Sequence, residues 1–175
     1  MQLLARRRVP LGFLFGGLVI WLADPTTATL IAGGIVGIAG EGLRIWAAGH
    51  ISKSREVTSS GPYRWFAHPL YVGSSVMSVG LAIAAGSIVA ALLIAVYMGA
   101  TIAAAVRSEE AFLRGKFGDE YASYRAGRAA ADAGASTRRF SWQQALTNRE
   151  YRALAGFLLV VLLLLAKATY NGRLG

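Results

Sequence analysis

Five apolar runs follow one another along the chain, with polar and basic residues gathered between them. The runs cover residues 10–23, 28–49, 69–85, 87–106 and 154–169. A helix needs about 17–25 residues to span the hydrocarbon core of a bilayer. The middle three runs reach that length, and the outer two reach it if Arg8, Arg152 and Lys167 extend their charged ends to the lipid headgroups. The pattern predicts an all-α integral membrane bundle of five transmembrane helices, forming one domain over residues 1–175.

Small residues recur at helical spacing within the second, third and fourth runs. They leave flat helix surfaces on which a neighbouring backbone can approach closely. The spacing in the third and fourth runs predicts a tight antiparallel hairpin between these two helices. The small residues are Gly33, Gly37 and Gly40 in the second run, Gly80 and Ala84 in the third, and Gly99 and Ala103 in the fourth.

The chain is expected to continue beyond the fourth run as a helix from Glu109 to Arg125. Its apolar and aromatic residues recur every three or four positions and therefore form one stripe. This periodicity predicts an amphipathic helix that lies against the bilayer or the bundle at the cytoplasmic face. The stripe consists of Leu113, Phe117, Tyr121 and Tyr124.

Two further sequence signals lie before the last run. Ser141 with Gln144, and Thr147 with Glu150, each have the spacing of a capping box. They predict a short surface helix followed by the start of the last transmembrane helix.

The composition agrees with a membrane protein. Hydrophobic residues make up 55% of the chain and charged residues 15%, whereas a typical soluble domain is about 25% charged. The chain has no cysteine, which excludes disulfides, thiolate metal sites and a cysteine nucleophile. No metal site is predicted.

The net charge of +9 falls mostly on one predicted side of the membrane. Three basic residues precede Pro10, three lie between the second and third runs, and nine lie between Arg107 and Arg152. Because basic residues mark cytoplasmic segments, we expect a cytoplasmic N-terminus. The charge then reports orientation and suits anionic lipids, so the bilayer and not nucleic acid is the predicted partner. The oligomeric state stays open.

One charged pair lies inside an apolar run. Glu41 and Arg44 are three residues apart in the second run, so they share a helix face. Two interpretations stay open: a structural ion pair that locks helices together, or an arginine that lines a polar cavity reaching up from the cytoplasmic face.

Two polar groups sit where apolar runs meet the cytoplasmic face. The segment GPYRWFAHPLYVG, residues 61–73, places His68 and Pro69 at the start of the third run, with Tyr71 in its first turn. Proline suits a first helical turn, and helix N-termini favour electron-rich ligand atoms. Glu109 and Glu110 follow the fourth run. A His and Tyr at a membrane interface also fit a simple anchor, so both interpretations stay open.

Together, GPYRWFAHPLYVG and the later segment EEAFLRGKFGDEYASY resemble the isoprenylcysteine carboxyl methyltransferase family. The resemblance is to its short bacterial members and, more distantly, to the phospholipid N-methyltransferases. It covers roughly residues 40–124, with the two motifs in the family's order around a helical hairpin.

The resemblance implies an S-adenosylmethionine site at the cytoplasmic face. The residues that it implies for cofactor binding are His68, Pro69, Leu70, Tyr71, Glu109 and Glu110. A carboxylate suits a vicinal diol or an ammonium group. Because adjacent residues on a helix point about 100° apart, one glutamate is expected to face the cofactor, and Glu110 is favoured.

The resemblance also implies methyl transfer to a lipid-like or isoprenoid-linked acceptor, with carboxyl O-methylation favoured and methylation of a lipid amine left open. Ala67 stands where the family commonly has arginine before the His-Pro pair. Arg44 and Arg64 are the predicted catalytic residues, holding an anionic acceptor. Two other classes stay open: a non-enzymatic membrane scaffold or transport component of the same fold, and a nicotinamide-dependent membrane reductase.

Overall fold

The computed structural model describes residues 8–51, 58, 60–125 and 139–174, and within these ranges all regular secondary structure is helical. The all-α prediction is confirmed for this part of the chain. The elements are α1 (Arg8–Leu22), α2 (Thr27–Ala48), a short 3₁₀ helix (Gly61–Arg64), α3 (Pro69–Ala84), α4 (Ile88–Arg125), α5 (Trp142–Thr147) and α6 (Tyr151–Tyr170).

Three of these helices are long and apolar enough to cross a membrane. They cover Thr27–Ala48, the part of α4 from Ile88 to Asp119, and Tyr151–Tyr170. Gly12–Leu22 and Pro69–Ala84 are apolar but shorter. The third run therefore falls short of its predicted length, and the last run exceeds it because α6 begins three residues earlier. The protein is a membrane protein with three candidate spans among its described residues.

The closest packing in the bundle is between α2 and α3, along the glycines of α2. A Cβ on Gly33 would overlap the backbone of Gly80 and Ala84, and a Cβ on Gly40 would overlap the backbone of Gly73 and Met77. The two helices therefore meet backbone to backbone, as the small residues of α2 predict.

The prediction that α3 and α4 pack tightly through their small residues is wrong. Gly80 packs against Gly33 and Gly37 of α2, whereas a Cβ on Gly99 would have open space around it. The glycine face of α3 can meet only one neighbour, and α2 offers the longer matching row of glycines. Helix α4 still follows α3 directly, after a turn at Gly86 with φ +61°.

Helix α4 extends well beyond the fourth apolar run, as predicted, with non-helical backbone at Gly118. Leu113 and Phe117 are half-buried, whereas Phe112 and Lys116 are exposed. This agrees with the predicted stripe over its first two members. The side chains of Tyr121 and Tyr124 lie outside the described residues.

Helix α1 and the two ends of α6 complete the bundle. Phe15 of α1 stacks on Tyr97 of α4, with ring centroids 4.4 Å apart. At the C-terminal end of α6, the Lys167 ammonium donates to the Ile20 carbonyl at 2.8 Å, and so satisfies an end carbonyl of α1. Arg173 forms an ion pair with Asp24 at 3.1 Å.

The corner between α5 and α6 docks on the C-terminal end of α2. The Ser141 amide donates to the Gly49 carbonyl at 3.1 Å. The Asn148 side chain donates to the carbonyls of Ala48 at 2.8 Å and Ile51 at 3.0 Å. These bonds satisfy carbonyls that the end of α2 leaves without intrahelical partners. The segment that begins at residue 139 is thereby fixed to the C-terminal end of α2.

The two predicted capping boxes had different outcomes. The Ser141 hydroxyl accepts from the Gln144 amide at 3.3 Å, so Ser141 is the N-cap of α5, as predicted. The second half of this box is not formed, because the Gln144 side chain donates to the Ile51 carbonyl at 3.0 Å instead. The second prediction is wrong, because Thr147 belongs to α5 and its hydroxyl donates to the Gln143 carbonyl at 2.8 Å. Glu150 is the N-cap of α6 and makes no side-chain cap. Its carboxylate is directed into the bundle instead.

Candidate functional site

The site begins at the N-terminal end of α3. His68 is the N-cap of this helix, and Pro69 is its first residue. The His68 carbonyl accepts from the amides of Tyr71 and Val72 at 3.0 and 3.1 Å, whereas its side chain makes no cap bond. Because proline needs no hydrogen bond at this position, the helix starts without using the imidazole, which stays available for other partners.

Two glutamates of α4 reach the His68 ring. The distance between His68 Nε2 and Glu110 Oε1 is 3.3 Å, and that between His68 Nδ1 and Glu109 Oε2 is 3.8 Å. The two acids are neighbours in sequence and diverge on the helix, yet they approach different nitrogens of one ring. The prediction that the histidine and the twin acids converge is confirmed in its geometry. Both acids face the histidine, so the direction of the side chains does not favour Glu110 over Glu109 as the acid that faces the cofactor.

Tyr71 and Arg114 bring further polar groups to this cluster. The Tyr71 ring lies 5.8 Å from the His68 ring, so its hydroxyl belongs to the same polar region. Arg114 lies 3.6 Å from the other oxygen of Glu110, one helical turn further along α4. Glu109 is the more accessible acid, with 36% of its side chain exposed against 19% for Glu110. We call His68, Tyr71, Glu109 and Glu110 the acid-histidine cluster.

Arg44 belongs to a second, buried cluster between α2, α3 and α6. Its guanidinium forms ion pairs with Glu150 at 2.6 Å and with Glu41 at 3.6 Å. It also donates to the Ser74 hydroxyl, which donates in turn to the Leu70 carbonyl at 2.9 Å. The predicted ion pair of Glu41 and Arg44 is confirmed within α2, and Arg44 joins α2 to the start of α6 through Glu150. We call Glu41, Arg44, Ser74 and Glu150 the arginine cluster.

The other predicted site residues differ in their surroundings. Pro69 is fully buried and Leu70 is half-buried, both in the first turn of α3. Arg64 ends the 3₁₀ helix and is exposed. Ala67 lies one residue before the α3 N-cap. The structure therefore brings four of the eight predicted residues into one cluster and places Arg44 in another.

Sequence reasoning missed Glu150 and Ser74 as partners of Arg44. Ser74 lies four residues after Leu70 on α3, a spacing that also fits a surface serine. Glu150 lies more than one hundred positions from Arg44 in sequence. Its one signal in the sequence is an acid four residues before the last apolar run, and the capping prediction assigned that acid to a helix cap.

The acid-histidine cluster has the chemistry to hold a cationic cofactor that carries hydroxyl groups. The half-exposed Glu109 carboxylate can accept from an ammonium group or from a vicinal diol. The residues present therefore fit the predicted S-adenosylmethionine. Within the described ranges, no group of three histidine, aspartate or glutamate side chains is arranged to hold a metal ion.

Comparison with known proteins identifies the family. The model of the phospholipid methyltransferase family matches residues 26–120, more than half of the chain. The chain belongs to the phospholipid methyltransferase family. The matched segment contains α2, α3, the acid-histidine cluster and Arg44, and it ends before α5. The family resemblance inferred from the two motifs is thereby confirmed.

Two curated proteins are similar to part of this chain. The nickel-cobalt-cadmium resistance protein NccN of Alcaligenes xylosoxydans xylosoxydans is 37% identical over 101 residues, which are 55% of this chain and 47% of that protein. The protein-S-isoprenylcysteine O-methyltransferase of Schizosaccharomyces pombe is 30% identical over 87 residues, 50% of this chain and 37% of that enzyme. The chain thus spans less than half the length of these relatives. No solved structure matches it significantly.

Proposed function

We propose that the protein is an integral membrane methyltransferase that uses S-adenosylmethionine. The observation that carries the proposal is the convergence of His68, Tyr71, Glu109 and Glu110 at one end of α3 and α4. All four lie within the segment that matches the phospholipid methyltransferase family. The similarity to a protein-S-isoprenylcysteine O-methyltransferase supports the same activity.

The proposed role of the acid-histidine cluster is to bind and orient the methyl donor. S-adenosylmethionine supplies an activated methyl group, so the protein needs to align donor and acceptor and to exclude water. Glu109 or Glu110 would accept from the ribose hydroxyls or the amino group. His68, Pro69, Leu70 and Tyr71 would form the wall that the first turn of α3 provides.

The proposed acceptor is a lipid-like or isoprenoid-linked molecule that enters from the bilayer. Carboxyl O-methylation is the favoured reaction, because a carboxylate acceptor needs no general base. Arg64 and Arg44 are proposed to attract the anionic acceptor. Arg64 is exposed and ready for such a role, whereas Arg44 would have to exchange Glu41 or Glu150 for the acceptor.

We further propose one domain over residues 1–175, with five membrane-spanning helices and a cytoplasmic N-terminus in a bacterial inner membrane. The short apolar helices α1 and α3 would be the two additional spans. The distribution of basic residues supports this orientation, since the acid-histidine cluster then faces the cytosol, where the soluble cofactor is found.

Titration of the detergent-solubilised protein with S-adenosylhomocysteine tests the function. We expect saturable binding, which Glu110→Gln weakens by about 1.5–3 kcal/mol, the usual contribution of a hydrogen bond to a charged group. Asp119→Asn on the exposed surface of the same helix is the matched control and should bind like the wild type. Glu109→Gln is measured in parallel, because both acids approach His68.

Three outcomes would change the proposal. Loss of affinity in Glu109→Gln alone would assign the carboxylate role to Glu109. Saturable binding of NADPH without S-adenosylhomocysteine binding would favour a reductase, and binding of neither would favour a scaffold or transport component. Incubation of enriched membranes with labelled S-adenosylmethionine, followed by mass analysis of the labelled product, would then identify the acceptor.

A further inference from the structure

The arginine cluster links the last helix to the elements of the site. Glu150 at the start of α6 lies 2.6 Å from Arg44, and Glu41 lies 3.6 Å from it. Only 3% of Glu41 and 7% of Glu150 are exposed. A buried charge is stable only if it is paired, so the position of the guanidinium depends on these two acids. The shorter of the two ion pairs is the one with Glu150.

This cluster is a direct neighbour of the acid-histidine cluster. The Arg44 side chain packs against Gly73, where a Cβ would overlap it, and its guanidinium donates to Ser74. Tyr71 lies three residues before Ser74 on α3, and its ring is 5.8 Å from that of His68, which lies 3.8 Å from Glu109. The two clusters thus share the N-terminal end of α3.

Glu150 lies outside the segment that matches the family. The family match ends at residue 120, whereas Glu150 follows the corner that docks on the end of α2. Arg149 in this corner has a left-handed backbone with φ 60°. For a residue other than glycine this conformation costs about 1 kcal/mol or more, and such local strain persists only where the surroundings impose it. The corner therefore directs Glu150 inwards at some expense of stability.

We propose that Glu150 is a positioning residue that holds the Arg44 guanidinium in the arginine cluster and away from Glu109. Without Glu150, Arg44 keeps Glu41 as its one acid partner in the cluster, and this is the partner at 3.6 Å. Its guanidinium then turns towards Glu109 and competes with the ammonium group of the methyl donor for that carboxylate. The inference rests on the proposed function, because it assigns Glu109 to donor binding.

Binding of S-adenosylhomocysteine to single and double variants tests this role. We expect Glu150→Gln to bind about three- to tenfold more weakly than the wild type, the effect of one competing, partly exposed ion pair. The double variant Arg44→Met with Glu150→Gln should regain affinity to within about twofold of the wild type, because the competing guanidinium is gone. Glu150→Asp retains the charge and should bind like the wild type.

Lys167→Met is the matched control for a merely structural effect. Lys167 lies near the C-terminal end of α6, whereas Glu150 lies at its N-terminal end. Its ammonium group bonds this end of α6 to α1 through the Ile20 carbonyl. It should lower the thermal midpoint in detergent and leave the affinity for S-adenosylhomocysteine unchanged. Size-exclusion profiles of all variants verify that each is folded before binding is measured.

The outcomes separate this inference from the function on which it rests. Unchanged affinity in Glu150→Gln would overturn the positioning role. The same follows if the double variant binds no better than Glu150→Gln, or if Lys167→Met weakens binding equally, since Glu150 would then be a helix tether. Absence of binding in the wild-type protein would overturn the proposed function itself, and this inference with it.

Discussion

At the scale of single residues, His68 shows how a helix start can organise a site. Pro69 fixes the first turn of α3 without a hydrogen bond from the imidazole. The ring is therefore oriented by Glu109 and Glu110 on either side. Because a neutral imidazole carries one donor and one acceptor nitrogen, both nitrogens can donate to carboxylates only when the ring is protonated.

Arg149 has a strained backbone, which lowers the stability of the fold. We expect Arg149→Gly to raise the free energy of unfolding by about 1 kcal/mol, since glycine adopts its left-handed backbone without strain. The measurement is the thermal midpoint of unfolding in detergent. Arg152→Gly removes an equal charge from the exposed first turn of α6 and should lower stability by about 1 kcal/mol, because its backbone is helical. Equal losses in both variants would contradict the strain assigned to Arg149.

At the scale of elements, the glycine interface between α2 and α3 determines where the site residues lie. Gly40 contacts the backbone of Gly73 and Met77, about one and a half and two and a half turns beyond His68. This contact sets the height of α3 against α2, and so the position of Tyr71 relative to Arg44. A close backbone approach of this kind is possible only where both helices present small residues.

Gly40→Ala tests this interface. The added methyl group would overlap the α3 backbone, which no rotamer change can relieve, so we expect a loss of at least about 2 kcal/mol in unfolding free energy. Gly42→Ala is the matched control, because a Cβ there has open space around it. It should be neutral or stabilising through the higher helix propensity of alanine. Similar thermal midpoints for the two variants would contradict the backbone contact at Gly40.

At the scale of the whole molecule, the orientation in the membrane decides whether the site meets the cytosol. Arg107, Arg114 and Lys116 lie at the end of α4 that carries the acid-histidine cluster, and the Lys167 and Arg173 contacts lie at the C-terminal end of α6. With an odd number of spans, the two ends of the chain face opposite sides. A soluble donor can then reach the cluster without crossing the bilayer.

Single-cysteine labelling in intact cells tests this orientation. The chain contains no cysteine, so Lys116→Cys and Asn171→Cys each introduce one thiol at an exposed position. A membrane-impermeant maleimide should label Asn171→Cys in intact cells, and Lys116→Cys only after the cells are broken. The reverse pattern would place the acid-histidine cluster outside. Labelling of both variants in intact cells would contradict a membrane crossing by α6 between the two positions.

The local features of this protein were determined by its sequence. The lengths of α2 and α4, the N-cap at Ser141, the start of α3 at Pro69 and the glycine face of α2 follow from hydrophobicity and backbone preferences. These preferences act over a few residues, so they can be predicted from one sequence. The two motifs were also sufficient to predict that His68, Glu109 and Glu110 converge. The helical hairpin of α3 and α4 lies between the motifs, so both motifs end at the same face of the bundle.

Only the tertiary structure decided which helix surfaces meet. The same small-residue spacing occurs in α3 and α4, but α3 packs its glycines on α2, since one face can be covered only once. Glu150 could not be paired with Arg44 from the sequence, because their contact depends on how the α5–α6 corner docks on the end of α2. The sequence shows where each charge lies along the chain, but the ion pair between these distant residues depends on that docking.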